Sequence, residues 1–168
     1  MIRVLQWNCQ GLRKRAAELR VRLLDKPDER PDVLLLQETN TTAVNLYGYL
    51  VYSSPSITTK RPGETTSPPG KALVYVRDDW PQHQVDLTPY SNDGQEIVAV
   101  RIQVQQHYIV LASIYHRPLK STTQQRTNLW ISHIHDLYPK EQKLYGGDFN
   151  LHHPMWGYNH ESPGAKDS

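Results

Sequence analysis

Five polar residues of this sequence stand where apolar runs stop. Asn8 follows a β-prone run at 2–7, Glu38 follows 33–37, and Tyr115 ends an almost unbroken apolar run from 108. Asp148 and Asn150 follow the strand-like stretch 142–145. Carboxylate and amide oxygens suit a hard cation such as magnesium. Such a cation polarises a phosphate oxygen and stabilises the oxyanion that leaves. A carboxylate can orient or deprotonate an attacking water. Amide and phenol groups can steady the charge that grows in the transition state. These types fit hydrolysis of a phosphate diester.

Each residue also has a plainer reading. A glutamate at a strand end is usually just solvated. Asn8, shortly before Gly11, fits a turn, and Tyr115, before His116-Arg117-Pro118, fits core packing with an exposed hydroxyl. Gly146-Gly147-Asp148-Phe149-Asn150 suggests a tight functional loop, although turn chemistry alone also accounts for it. The functional reading gains from convergence, because strand ends of stacked sheets can meet at one rim. His152, His153 and His160, with Cys9, raise zinc as another metal. Their spacing matches no structural zinc pattern, and local packing around Pro154 and Trp156 is the better account. Cys9 is read as a small buried hydrophobe beside a strand end.

The elements that must position these residues follow from periodicity. A strand at 2–8 ends at the Gln10-Gly11 turn signal. A helix is expected at about 14–25, with Ala16, Leu19 and Leu23 on one face and Glu18 four residues before Arg22. Pro27 and Pro31 close it, and the short run Val33-Leu34-Leu35-Leu36 is a buried strand. Strand, helix, strand suggests a parallel β-α-β unit. Residues 53–70 hold eight Ser/Thr, four Pro and two Gly, so they are expected to form a long surface loop. Strand patterning resumes at 71–77. Val98, Val100, Ile102 and Val104 alternate with Ala99, Arg101, Gln103 and Gln105, a period of two that buries one face. A turn at Gln105-Gln106-His107 then leads into a central strand from Tyr108 to Tyr115. A helix is expected at about 122–137, opened by a capping box from Ser121 with Gln124 or Thr122 with Gln125. Its stripe is Trp130, Ile134, Leu137 and Tyr138, and Pro139 ends it. Hairpins with flanking helices point to stacked sheets covered by helices.

At 168 residues the chain suits one domain, 1–168. Its hydrophobic fraction is 38% and its charged fraction 21%, a globular composition rather than a disordered or membrane one. A net charge of +2 permits nucleic-acid binding without arguing for it. The single cysteine favours a reducing, intracellular setting. There is no membrane-spanning run and no signal-peptide layout at Met1-Ile2-Arg3-Val4-Leu5. Nothing sets an oligomeric state.

Four segments in order resemble the endonuclease/exonuclease/phosphatase superfamily. They are Val4-Leu5-Gln6-Trp7-Asn8-Cys9-Gln10-Gly11-Leu12, Leu36-Gln37-Glu38-Thr39, Ser113-Ile114-Tyr115-His116-Arg117-Pro118 and Gly146-Gly147-Asp148-Phe149-Asn150. The extension Leu151-His152-His153-Pro154-Met155-Trp156-Gly157 looks like the endonuclease domains of non-LTR retrotransposons, especially jockey-type elements of arthropods. The resemblance implies an α/β (α+β) fold, a four-layer α/β/β/α sandwich of two mixed sheets with the site at one rim. It implies Mg2+, with Mn2+ as an alternative, held mainly by Glu38 with Asn8 close to metal and phosphate. Asp148 would orient or activate the water. Asn150 would bind the scissile phosphate and help place Asp148, and Tyr115 would stabilise phosphate or leaving-group charge. Arg117, Asn150 and His152 are the candidate phosphate and DNA contacts. The implied activity is nicking of DNA, leaving a 3′ hydroxyl that primes reverse transcription, with nuclear access.

The family pattern continues with a later Asp and a final Ser-Asp-His segment, whose His contacts the phosphate. Asp167-Ser168 lies in the wrong place and order to supply it. The expectation is that 157–168 is the loop after the Asp148 motif and that the second sheet lacks its C-terminal strands. That would leave an exposed apolar edge. Weak or no turnover by this chain is expected, since one lost oxyanion donor costs ~10²–10³ in rate. DNA contact would rest on phosphate neutralisation by Arg13, Lys14, Arg15, Lys60, Arg61, Lys71, Arg117 and Lys120. Rival readings are an inactive remnant or domesticated module that binds nucleic acid or protein, and a lipid or inositol phosphate hydrolase of the same superfamily.

Overall fold

The chain opens with β1 (Val4–Asn8), α1 (Leu12–Asp25) and β2 (Val33–Gln37), and β1 and β2 are parallel. This is the β-α-β unit that the apolar pattern requires. α1 begins two residues earlier than its periodicity suggests, because Leu12 joins Ala16, Leu19 and Leu23 on the buried face. The chain continues with β3 (Tyr49–Ser53), β4 (Ala72–Arg77), β5 (Gln82–Val85), β6 (Gln95–Val104), β7 (His107–His116), α2 (Leu129–Leu137) and β8 (Gln142–Asp148). This computed structural model describes residues 1–25, 27–41, 43–54, 71–91, 94–118 and 128–150. Of the expected loop at 53–70, Ser53 instead ends β3, and 55–70 lie outside them, as do the capping residues 121–125, the loop at 157–168 and the residues Lys60, Arg61, Lys120, His152, His153 and His160.

Two mixed four-stranded sheets result, in the orders β1-β2-β4-β3 and β5-β6-β7-β8. In the first, β1 and β2 are parallel and the other pairs antiparallel; in the second, only β7 and β8 are parallel. Three apolar layers hold the stack together. Leu12, Leu19 and Leu23 of α1 pack on Leu34, Leu36, Leu73 and Tyr75 of the first sheet. Val33, Leu35, Val74 and Val76 face Val98, Val100, Ile102 and Leu111 between the sheets. Ile97, Ala99, Val110, Ala112 and Ile114 of the second sheet receive Trp130 and Ile134 of α2. The order α1, sheet, sheet, α2 is the four-layer α/β/β/α sandwich.

This layering corrects several expectations. β6 is buried on both faces from Gln95 to Val100, not on one, because α2 covers the face that the first sheet leaves open. α2 starts at Leu129, with Asn128 in the cap position and no side-chain cap bond. It ends at Leu137, which is 50% exposed and so leaves the packed stripe. The glycine pair is not a loop. Gly146 and Gly147 lie inside β8, paired with Ser113 and Ile114 of β7. Their small size answers a packing need: a Cβ on Gly146 would stand 2.8 Å from Leu35 Cδ1 of the other sheet. A Cβ on Gly147 would collide with the Ile114 carbonyl oxygen and lie 2.8 Å from Ile114 Cβ. Among the described residues β8 is an edge strand, and Leu144 on it is exposed.

The two glycines should therefore differ. Gly147→Ala meets backbone and is expected to destabilise by about 1–3 kcal/mol. Gly146→Ala meets the far end of a leucine side chain and should cost less. Urea unfolding midpoints of the two variants check the order.

Candidate active site

β1, β2, β7 and β8 point their C-terminal ends at one rim. Asn8 ends β1, Glu38 follows β2, Tyr115 lies one residue from the end of β7 and Asp148 ends β8. Pairing Asn8 with Gln37, and Tyr115 with Asp148, aligns these ends within each sheet. The side-chain amide of Asn8 joins the two sheets. Its Nδ2 donates to Glu38 Oε1 at 3.1 Å and to Asp148 Oδ2 at 2.6 Å. Asp148 Oδ1 accepts from the Asn150 backbone N–H at 3.1 Å. Asn150 Nδ2 in turn donates to the His116 carbonyl at 2.6 Å, tying the turn after β8 to the end of β7.

Two of these residues hold a backbone that L-residues avoid. Glu38 has φ 51° and Asn150 φ 46°, in the left-handed region. For asparagine this is a common tolerance, and for glutamate it is unusual. The β1–α1 turn over-determines it. The N–H groups of Cys9, Gly11 and Leu12 donate to the carbonyls of Gln37, Glu38 and Thr39 at 3.0, 2.8 and 2.9 Å. Those bonds swing the Glu38 side chain out of the strand alternation and toward Asn8. Cys9 is buried as expected; its thiol donates to the Gln37 carbonyl at 3.2 Å, and burial pushes its pKa up.

Tyr115 is only 5% exposed and sits in the field of this cluster. Burial raises its pKa above the usual phenol value, and the charges of Glu38 and then Asp148 raise it further. The phenol therefore stays protonated through neutral pH and keeps a donor to offer. Lys71 Nζ lies 5.2 Å from the centroid of the Tyr115 ring.

Arg117, an expected phosphate contact, is held by a buried acid. Its guanidinium meets Glu96 Oε1 at 3.0 Å, and Glu96 is 2% exposed. Glu96 Oε2 accepts from Ser54 Oγ at 3.1 Å and from the Lys71 backbone N–H. One buried carboxylate thus holds Arg117 and the two residues that flank 55–70. Glu96 was not among the sequence candidates, although a lone acid directly before the apolar run Ile97-Val98-Ala99-Val100 is a signal. Arg13, Lys14 and Arg15 are exposed at the start of α1, with Arg15 3.6 Å from Glu18. Gln37 and Ser113 were also missed; both are fully buried next to the cluster. Among the described residues, no group of three or more His, Cys, Asp or Glu side chains could hold a metal. The cluster is instead an oxygen-rich set of carboxylates and an amide.

The fold and this cluster define a class. The profile of the endonuclease/exonuclease/phosphatase family matches residues 5–168, and the chain belongs to that family. Among curated proteins it is 26% identical over 165 residues to the RNA-directed DNA polymerase from mobile element jockey of Drosophila melanogaster. That match covers 95% of this chain and 16% of the relative. A probable RNA-directed DNA polymerase from transposon BS of the same fly is 23% identical, covering 99% of this chain and 17% of the relative. The chain thus spans about a sixth of the length of these relatives. The same fold occurs in the endonuclease domain of TRAS1, a telomere-specific non-LTR retrotransposon, with TM-score 0.66 and 23% identity. That likeness covers 99% of this chain and 67% of the TRAS1 domain. D. rerio TDP2 complexed with single strand DNA product is also similar, at TM-score 0.58 and 16% identity, covering 93% of this chain and 63% of TDP2. No helix among the described residues is long and apolar enough to cross a membrane.

The Glu96–Arg117 pair yields a stability prediction. Arg117→Ala strands a buried carboxylate and is expected to cost about 3 kcal/mol. Adding Glu96→Gln to that variant should recover much of the loss. Chemical denaturation of the single and double variants gives the comparison.

Proposed function

We propose that this chain is a metal-dependent phosphodiesterase domain that nicks DNA, as a retrotransposon endonuclease does. The observation that carries the reading is the Asn8 amide within hydrogen-bond reach of both Glu38 and Asp148, one from each sheet. Both carboxylates already turn toward one electropositive group and present oxygens to it. Such a set fits a hard divalent cation, Mg2+ or Mn2+. Glu38 would be the principal ligand, with Asn8 beside it. When bound, the cation would polarise the scissile phosphate and offset the charge of the leaving oxygen.

The protein's own groups have separable tasks. Asp148 has each carboxylate oxygen engaged by one donor, Asn8 on one side and Asn150 on the other. That fixes its plane, so it can orient a water and take its proton. Asn150 places Asp148 through its backbone and anchors to His116 through its side chain. Tyr115, kept protonated, donates to charge on a phosphate or leaving oxygen. Arg117 and Lys71 put positive charge beside Tyr115 and would meet the DNA backbone. His152 remains a candidate phosphate contact by resemblance. The matches to the jockey and BS proteins support DNA over a lipid or inositol phosphate substrate.

Nicking of supercoiled plasmid in Mg2+, by the protein made from its whole reading frame, tests the reading. Asp148→Ala is expected to slow nicking by ~10²–10⁴, and Tyr115→Phe by ~10²–10³. DNA binding should weaken as salt rises. A protein that binds DNA but nicks no faster than its Asp148→Ala variant would be a non-cleaving binding module. Hydrolysis of inositol phosphates in preference to plasmid would point to the other branch of the family.

A further inference from the structure

The layer between the two sheets changes character along its length. Far from the rim it is apolar, where Val4 and Val33 share one cluster with Val100, Ile102 and Leu111. Near the rim it becomes polar, and one hydrogen-bonded chain crosses it. Gln6 Nε2 donates to Gln37 Oε1 at 2.7 Å, and Gln37 Nε2 donates to Ser113 Oγ at 2.8 Å. The Ser113 hydroxyl then donates to the Leu36 carbonyl at 3.0 Å. Gln37 and Ser113 are both 0% exposed. Each polar atom of Gln37 and the Ser113 hydroxyl thus has a partner. Leaving any of them unpaired there is costly, so the bonds are obligatory.

Apolar contacts carry little direction, so packed valines and leucines constrain the placement less sharply than a hydrogen bond of fixed length and angle. The crossing lies directly beneath the site. Gln37 precedes Glu38 and pairs with Asn8 in the first sheet. In the second sheet, Ser113 pairs with Gly146, and two residues further along both strands Tyr115 pairs with Asp148. Gly146, with no side chain, lets β8 approach Leu35 and Gln6 closely enough for Gln37 to span the gap.

We propose that Gln37 and Ser113 form a positioning pair that sets the spacing and register of the two sheets, and so holds Glu38 and Asn8 against Asp148. As it concerns the cation, this rests on the functional reading above; as it concerns the meeting of the two sheets, it does not. Neither side chain touches substrate in this role. The pair acts through the distance between one sheet's ligand and the other sheet's carboxylate.

Two variants separate positioning from mere stability. Ser113→Ala alone orphans the Gln37 amide and should lower the melting temperature. Gln37→Met with Ser113→Ala replaces both buried side chains by apolar groups; the exposed Gln6 amide can turn to water and only the Leu36 carbonyl loses a donor, so the change is far milder than orphaning Gln37. In the metal-free protein, NMR signals of the Asn8 side-chain NH2 report its bonds to Glu38 and Asp148. The double variant is expected to melt near the wild-type temperature, yet show shifted and faster-exchanging Asn8 NH2 signals. Its Mn2+ affinity, followed by calorimetry, should fall ~10–100-fold, as for supporting residues around other metal sites. A double variant as stable as the wild type with unmoved Asn8 signals would overturn the inference. If the wild type itself takes up no Mn2+, the cation reading fails while the Asn8 signals still decide the positioning role.

Discussion

Asn8 and Glu38 belong to one sheet, and Tyr115, Asp148 and Asn150 to the other, so the cluster exists only where the sheets are held in one relative placement. The apolar layer between them provides most of the attraction, since burial scales with area. Its packing, such as Leu35 against Gly146, limits the placement without giving it much direction. Direction comes from polar groups near the rim: the Asn8 amide on two carboxylates, the Gln37–Ser113 bond beneath it, and the β1–α1 turn that clamps residues 37–39. The two helices cover the outer faces. That leaves the rim as the place where charged side chains of both sheets can meet.

The cluster is built against local preference. Left-handed backbone at Glu38 costs on the order of 1–3 kcal/mol, and less at Asn150 because asparagine tolerates it. Placing Glu38 and Asp148 around one amide brings like charges together, and Glu96 adds a third acid that is almost wholly buried. Each has a specific answer. Backbone carbonyls at 37–39 are fully engaged, Asn8 supplies polarity between Glu38 and Asp148, and Arg117 neutralises Glu96. A cation at the rim would relieve the remaining repulsion, and this is the sense in which the carboxylates are poised for one.

Much of this was legible in the linear pattern. Runs such as 33–37 and 108–115 are too short for core helices and end in polar residues, so strand ends carrying Glu38 and Tyr115 could be read directly. The β-α-β opening and the alternation at 98–104 were equally plain. What escaped depends on partners far away in the chain. β5, Gln82-His83-Gln84-Val85, carries little apolar signal because it is an edge strand. The second buried face of β6 becomes visible only once α2 is seen to lie on it. Gly146 and Gly147 suggest a turn locally, whereas their need arises from Leu35 and Ile114 across the layers. The buried partner of Arg117 becomes visible only once β6 places Glu96 opposite Tyr115.

The central claim is that groups from both sheets share one divalent cation. Titration of Mn2+ into 15N-labelled protein, with NMR line broadening followed residue by residue, tests it most directly. The Asn8 side-chain amide and the backbone amides of Glu38 and Asp148 are predicted to broaden together at the same low Mn2+, and Glu38→Gln should abolish the effect. Broadening confined to one sheet, or unchanged in Glu38→Gln, would contradict the account.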